Sequence, residues 1–455
     1  MPETELKAHL LALARETLQE SQTSDSKSSP GREGMTLYDR LAPGQGGRAF
    51  YNPMRDDRII GLPSFAPAVT ALEAIPSFLA VADSSEARRI VLQFTYDFLE
   101  RQTNANFDES AFAATWLSFQ EELARPEWTF LSICYLDNFE CDVDAVELGD
   151  GVTIHHRSSY QFRERGWSDF QIEKLYENWH GRGLYVLVGE EKVRKSPDNL
   201  ILGSTGHAVS KADRMLRALR LANEGDVHIG GGAQMLGRVL STRPAGSGFS
   251  PEKGATMQGT LARWPGATYS LAASDAPRVH ALYDQLKVIE EAMGEAPPYN
   301  LNLALRSFAS SYDRLPPHND TKLVDLVTAT ESLLGTGVEI SFRLSFYIAG
   351  ILAGNDGERV KIFDEMRAFY DTRSKVVHGG TLEVRHRAHL DNYPALRGYV
   401  RQLLVAYMRL ATTSGHGYEP RPLRKRLDSL LQDAQQRSAL RAAMGLEQIV
   451  ATNGP

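Results

Sequence analysis

Between Asp371 and Gly380 the sequence reads DTRSKVVHGG, and three of its residues, Arg373, Ser374 and His378, are types that can act together on a phosphodiester. A guanidinium keeps its charge at any working pH and forks onto two phosphate oxygens. An imidazole exchanges its proton near neutral pH and so serves as general base or acid. A hydroxyl beside them can position either group. On a helical wheel of about 100° per residue, Arg373 falls in the middle of an apolar stripe made by Ile362, Met366, Phe369, Tyr370 and Val377. His378 falls about 140° away, at the stripe's edge, and Gly379 and Gly380 then close the helix. A charge on a core-facing stripe needs a carboxylate, a second subunit or a phosphate. The carboxylate on offer is Glu331, on the apolar stripe of DTKLVDLVTATESLLG near Val327 and Leu334. A core ion pair, a subunit interface and phosphate chemistry therefore all account for the arginine. Spacing alone does not choose among them: in a chain with 12 histidines an arginine five positions ahead of one is unsurprising, and Arg409 before His416 is a looser instance.

Other candidates carry less. IGGGAQMLG, from Ile229 to Gly237, is glycine-rich but has no clear βαβ unit around it and no Lys-Ser/Thr pair, so it reads as a loop rather than a phosphate cradle. HRAH offers His386 and His389, yet no third ligand stands at matched spacing and Arg385 and Arg387 would repel a cation. His155 and His156 end a strand on alternate faces, which suits a turn or surface role. The 5 tryptophans are scattered through the acidic part without basic interleaving, unlike a base-stacking platform. Cys134 and Cys141 are the only cysteines and read as two reduced thiols. No metal and no cofactor are expected.

The elements that would hold these residues follow from periodicity. Residues 1–35 read as an amphipathic helix, with Leu6, Leu10, Leu13 and Leu18 broadly on one side, and a Ser-rich flexible linker. Residues 36–126 are mostly helical. Over 127–273 the text changes to short β-rich runs, WTFLSICYL, VELGDGVTIHH with its Gly-Asp-Gly turn, GLYVLVGEE, NLILGS and ATYSLAAS, interrupted by one helix, SKADRMLRALRLANEG. Six helical stretches then fill 277–416, and a basic helical tail occupies 417–455. The expected fold is α+β: a helical and small mixed α/β region followed by an all-α bundle.

Length and composition set the outer limits. The 455 residues, 42% hydrophobic and 24% charged, favour two or three globular domains with ample core. No apolar run approaches the roughly 18 residues of a membrane span, and the charged opening MPETELKAHLLALARETLQE is unlike a signal peptide, so the expected location is the cytoplasm, with no membrane partner. The net charge of −7 argues against nucleic acid, but it is uneven. Residues 361–455 hold 15 Lys and Arg against 9 Asp and Glu, and residues 1–360 hold 35 against 48. An acidic part and a basic part suggest separate tasks.

In order, LVDLVTATESLLG, EISFRLSFYIAGILAG, YDTRSKVVHGG and ALRGYVRQLLVAYMRL resemble the helices of the HEPN superfamily, most closely its ApeA-like branch. The likeness spans about residues 277–415, and the branch's signature of Arg, a polar residue, a few others and His is met by Arg373, Ser374 and His378. What the resemblance implies is a metal-independent endoribonuclease that pairs as a homodimer, so that two such motifs form one site on an RNA substrate. His378 would be base or acid, Arg373 would stabilise the charged phosphate, Ser374 would position either, and Glu331 would orient Arg373. The 2′-hydroxyl of RNA would attack and leave 2′,3′-cyclic phosphate and 5′-hydroxyl ends. A role in bacterial defence against phage is a further family tendency, with the 127–273 module as sensor of a phage protein or other trigger. The family also holds members without activity, so the alternative expectation is a non-catalytic dimerisation and interaction protein whose N-terminal region binds a protein ligand.

Overall fold

The computed structural model describes residues 2–23, 58–75, 84–102, 106–160, 184–194, 201–236, 242–244, 266–291, 300–314, 318–335, 339–413 and 420–446. The Ser-rich stretch after position 23 and the segment 414–419, which includes His416, lie outside them. The chain forms two compact units, one from 1–137, 143–213 and 229–250, the other from 138–142, 214–228 and 251–455.

The first unit begins with four helices: α1 (Pro2–Thr23), α2 (Phe65–Glu73), α3 (Ser84–Arg101) and α4 (Glu109–Ala124). Leu6, Leu10, Leu13 and Leu18 of α1 are all buried, and they join one cluster with Phe94, Phe98, Phe112 and Phe119. Phe94 meets Phe112 and Phe119 edge-on at 5.8 and 5.4 Å, the geometry that ring quadrupoles favour. At the start of α4, the Asp108 carboxylate accepts from Ser110 N and Ala111 N, filling two donors that a helix start leaves open.

The same unit carries a small sheet. Its strands are β1 (Glu127–Asp137), β3 (Ala145–Gly149), β4 (Val152–His156), β5 (Tyr185–Arg194), β6 (His228–Leu236) and β7 (Thr242–Pro244), in the order β3-β4-β5-β1-β6-β7. β1 with β5, β3 with β4, β4 with β5 and β6 with β7 pair antiparallel. The Gly-Asp-Gly turn joins β3 to β4 with φ of 85°, 50° and 72° at Gly149, Asp150 and Gly151. At Gly151 a Cβ would stand 2.7 Å from the Glu190 carbonyl oxygen, so glycine is required there.

Two local expectations fail. IGGGAQMLG is not a loop: Ile229 to Leu236 lie in β6, because pairing with neighbouring strands overrides the weak β preference of glycine. NLILGS is not a strand: from Ile201 onward it is the first turn of α5 (Ile201–Ala222), the ambiguity that a short apolar run always carries.

The second unit is a helical assembly with one two-stranded parallel ribbon, β2 (Phe139–Cys141) on β8 (Tyr269–Leu271). Its helices are α6 (Ala276–Glu291), α7 (Leu301–Asp313), α8 (Asn319–Leu334), α9 (Ile340–Leu352), α10 (Asp356–Val377), α11 (Val384–Asp391), α12 (Tyr393–Thr412), α13 (Pro420–Gln432) and α14 (Ala434–Ala443). α8 packs against α7, α10, α11 and α12, while α9 packs against α10 and also against α13 and α14. Arg441 of α14 is buried and donates from Nη1 to the Ile351 carbonyl at 2.6 Å. That bond satisfies one of the carbonyls a helix end leaves open, and it makes the basic tail part of the fold. Among the described residues no helix is long and apolar enough to cross a membrane.

Candidate functional site

α10 begins where the Asn355 side chain accepts from Glu358 N at 2.9 Å, with Asp356 and Glu358 in the first turn, where the helix dipole favours acids. It ends in a Schellman motif: Gly380 N donates to Lys375 O at 2.8 Å and Gly379 N to Val376 O at 3.3 Å, with Gly379 at φ 67°. His378 is the C-cap of that motif, its N–H donating to Ser374 O at 3.1 Å. The two glycines thus fix the backbone of the histidine that precedes them.

Along the helix Ile362, Met366, Phe369 and Thr372 are buried. Arg373 follows them at the edge of the stripe, its side chain 21% exposed, and Val377 has turned out to 48% exposure. The wheel that placed Arg373 at the centre of the stripe was therefore off by part of a turn. Arg373 Nη2 donates to Glu331 Oε2 of α8 at 3.4 Å, so the structure brings these two residues together. Partial burial first, and the Glu331 carboxylate second, push the Tyr370 phenol above its usual value, and the Arg373 Cζ lies 5.9 Å from the Tyr370 ring.

Magnitudes decide what holds α10 in place. Burying Ile362, Met366 and Phe369 is worth about 1.5–3 kcal/mol each, whereas a part-buried pair as long as the 3.4 Å of Arg373 with Glu331 contributes about 1 kcal/mol. The helix stands on its apolar stripe. The pair is also incomplete, because Arg373 Nε is buried and donates to nothing. Nε and Nη2 share the guanidinium edge that a carboxylate or phosphate oxygen pair forks, and Glu331 fills only half of it.

The remaining residues of the motif are not joined to that pair. His378 is exposed and Ser374 half-buried. Among the described residues no hydrogen bond reaches the His378 ring or the Ser374 hydroxyl. A different histidine is locked nearby: His386, buried on α11, has Nε2 at 3.1 Å from Asp371 Oδ2 of α10 and accepts Glu383 N–H on Nδ1 at 3.1 Å. Nδ1 is thereby the acceptor and Nε2 the donor. His389 packs its ring on Phe369 at 5.9 Å. HRAH is thus a helix cap and a packing contact, and among the described residues no group of His, Cys, Asp and Glu is placed to hold a metal. His155 and His156 bond locally to Thr153 at 2.9 Å and Ser158 at 2.7 Å.

Reasoning from the sequence singled out one core-facing arginine, and the fold holds several. Arg397 and Arg401 of α12 are buried, with Arg397 Nη1 on Asp226 at 2.5 Å and Arg401 Nη2 on Glu224 at 2.6 Å. Both stand among Leu396, Val400 and Leu404 on the buried side of the helix, so the wheel argument used for Arg373 would have found them.

No family model matches the chain, and no curated protein or solved structure matches it significantly. The HEPN resemblance therefore stands on the quoted residues alone.

Proposed function

We propose that the chain is a metal-independent endoribonuclease of HEPN type, working as a homodimer through its helical unit. The observation that carries the reading is the half-used edge of Arg373: a guanidinium positioned by Glu331, with a buried Nε–H that has no acceptor. An orphaned donor of this kind costs about 1–3 kcal/mol, and because Nε is itself buried a non-bridging phosphate oxygen would reach it only after a turn of the side chain.

RNA brings its own nucleophile, so the chain must supply a base, an acid and a positive clamp. His378, exposed on a rigid C-cap five positions from Arg373, suits the proton transfers. Ser374, one turn before it, is in reach of a positioning role. One chain offers one such histidine, and a second copy would provide the partner that takes the opposite role, base against acid. Glu331 would act through Arg373 as a positioning residue. Cleavage would break the P–O5′ bond, with the 2′-oxygen forming the cyclic phosphate and the 5′-oxygen taking a proton. The defence role, with the first unit sensing a phage protein or other trigger, belongs to the same reading and rests on the family likeness.

The competing reading is a non-catalytic dimerisation and interaction module. Its support is that Arg373 already has a carboxylate and that His378 touches neither of them. One experiment separates the two: total RNA incubated in EDTA with wild type or His378→Ala, with product ends mapped. Cyclic-phosphate ends produced by wild type alone are expected. Ends produced equally by both, or only after a divalent ion is added, would overturn the proposal.

A further inference from the structure

Lys322, in the first turn of α8, is 5% exposed. Its Nζ donates to Tyr393 Oη of α12 at 3.2 Å and lies 4.8 Å from the centroid of that ring. Among the described residues no carboxylate pairs with it. An ammonium has three N–H donors and no acceptor, and a buried charge is ordinarily matched by an opposite one. Here a neutral phenol and a ring face stand in for the anion.

The surroundings do not make up the difference. Arg397 stacks on Tyr312 with Cζ 4.3 Å from the ring centroid, lies 5.5 Å from Tyr393, and gives Nη1 to Asp226. Arg220 lies 4.5 Å from the Tyr312 ring, with Nη2 at 3.2 Å from Asp313 and 3.1 Å from His228 Nδ1. Burial first, then Arg220, Lys322 and Arg397 in turn, hold the His228 imidazole well below its ordinary value, so that ring adds no charge of its own at neutral pH and all three cations bear on it. Arg220 and Arg397 each have a carboxylate. Lys322 is the surplus.

Several groups beside Lys322 still have hydrogens to give. Two ammonium N–H groups remain. Tyr393 Oη accepts from Lys322, which leaves its own O–H to give. Arg397 Nε and Nη2, the side-on fork, have no partner among the described residues. Tyr393 is only half-buried. Donors of this kind suit a ligand rich in acceptor oxygens, and a forked guanidinium beside a point-charge ammonium suits tetrahedral oxygens.

We propose that Lys322, Tyr393 and Arg397 form a site for a phosphate group, either free phosphate or a phosphomonoester, separate from the Arg373 motif and independent of the nuclease reading.

The test is thermal unfolding of the full chain at fixed ionic strength and pH 7.5, with inorganic phosphate or glycerol 3-phosphate replacing chloride, in wild type, Lys322→Met and Tyr393→Phe. The wild-type midpoint should rise with ligand, by about 3 °C at a hundredfold excess over Kd. A response at lower concentration for glycerol 3-phosphate identifies a phosphomonoester, and an equal response identifies free phosphate. Lys322→Met should lose the response while melting at or above wild type in phosphate-free buffer, since the surplus charge is gone. Tyr393→Phe keeps the ring and should need about tenfold more ligand, the loss of one hydrogen bond. A wild-type midpoint indifferent to both ligands overturns the proposal. So does a full response in Lys322→Met, which would place the phosphate elsewhere. A Lys322→Met chain that melts well below wild type or does not fold would make Lys322 a structural bracket to Tyr393, and this too overturns it.

Discussion

The side chains that do chemistry and those that hold the fold are neighbours on α10, and their environments tell them apart. His378 is exposed and fixed only through its backbone, so His378→Ala should shift unfolding free energy by no more than about 0.5 kcal/mol, checked by urea melts beside the cleavage assay. A larger loss would make the imidazole structural. Arg373→Lys keeps the charge and loses the planar fork. Cleavage should fall tenfold or more with the fold intact, and undiminished cleavage would contradict a forked phosphate clamp. His228 gives a pH signature with a definite sign. Its folded value lies well below the ordinary 6.5, so below pH 6.5 the unfolded chain takes up a proton that the folded chain refuses. Stability is then complete above pH 6.5 and is lost on acidification, by up to about 1.4 kcal/mol per pH unit. His228→Asn retains an acceptor for Arg220, and urea melts at pH 7.5, 6.5 and 5.5 should show a shallower loss than wild type. Parallel curves would refute this assignment.

At the scale of elements, the sequence was most informative where periodicity runs long. The helices from α6 to α10 and α12 follow their apolar spacing, and β1, β4 and β5 follow dense β-branched and aromatic runs. It failed where a short stretch takes its structure from partners. The glycines of IGGGAQMLG become β6 by pairing, NLILGS is drawn into α5, and HRAH becomes α11 through the His386 cap and its bond to Asp371. The Arg373 to Glu331 contact was legible because both residues interrupt an apolar stripe. Lys322 was not, because nothing in its spacing shows that Tyr393, far along the chain, covers it. The terminal pair α13 and α14 shows the same dependence on partners. Leu423, Leu427, Leu430, Leu431 and Leu440 are buried, Tyr347 Oη donates to Asp428 at 2.9 Å, and a Cβ on Gly350 would meet Leu431 at 3.2 Å. A chain ending at 416 would expose those surfaces and free the Ile351 carbonyl. Such a chain should aggregate or lose several kcal/mol of stability, as read by yield of monodisperse protein and by urea midpoint. Unchanged behaviour would show the tail to be dispensable.

For the whole molecule, the charge asymmetry overstates the basic surface. Of the 15 Lys and Arg after position 360, Arg397, Arg401 and Arg441 are buried and already bound to Asp226, Glu224 and the Ile351 carbonyl. Close to the Arg373 motif in sequence, Arg367, Lys375, Arg385 and Arg387 are exposed, Arg385 beside Glu383 at 3.0 Å. If these four meet a single strand, log Kobs should fall with log salt at a slope of about −3, measured by RNA binding to His378→Ala across a salt series. A slope near zero would move the RNA elsewhere. The way the chain is shared between its two units has one more result. It passes from one unit to the other five times, and the carboxylates that neutralise Arg397 and Arg401 arrive on the short 214–228 segment, well ahead of the helices they serve. A gene fragment starting at codon 277 would encode two buried guanidinium ions without their counterions. The helical unit therefore cannot be moved as one contiguous piece of gene without leaving those carboxylates behind.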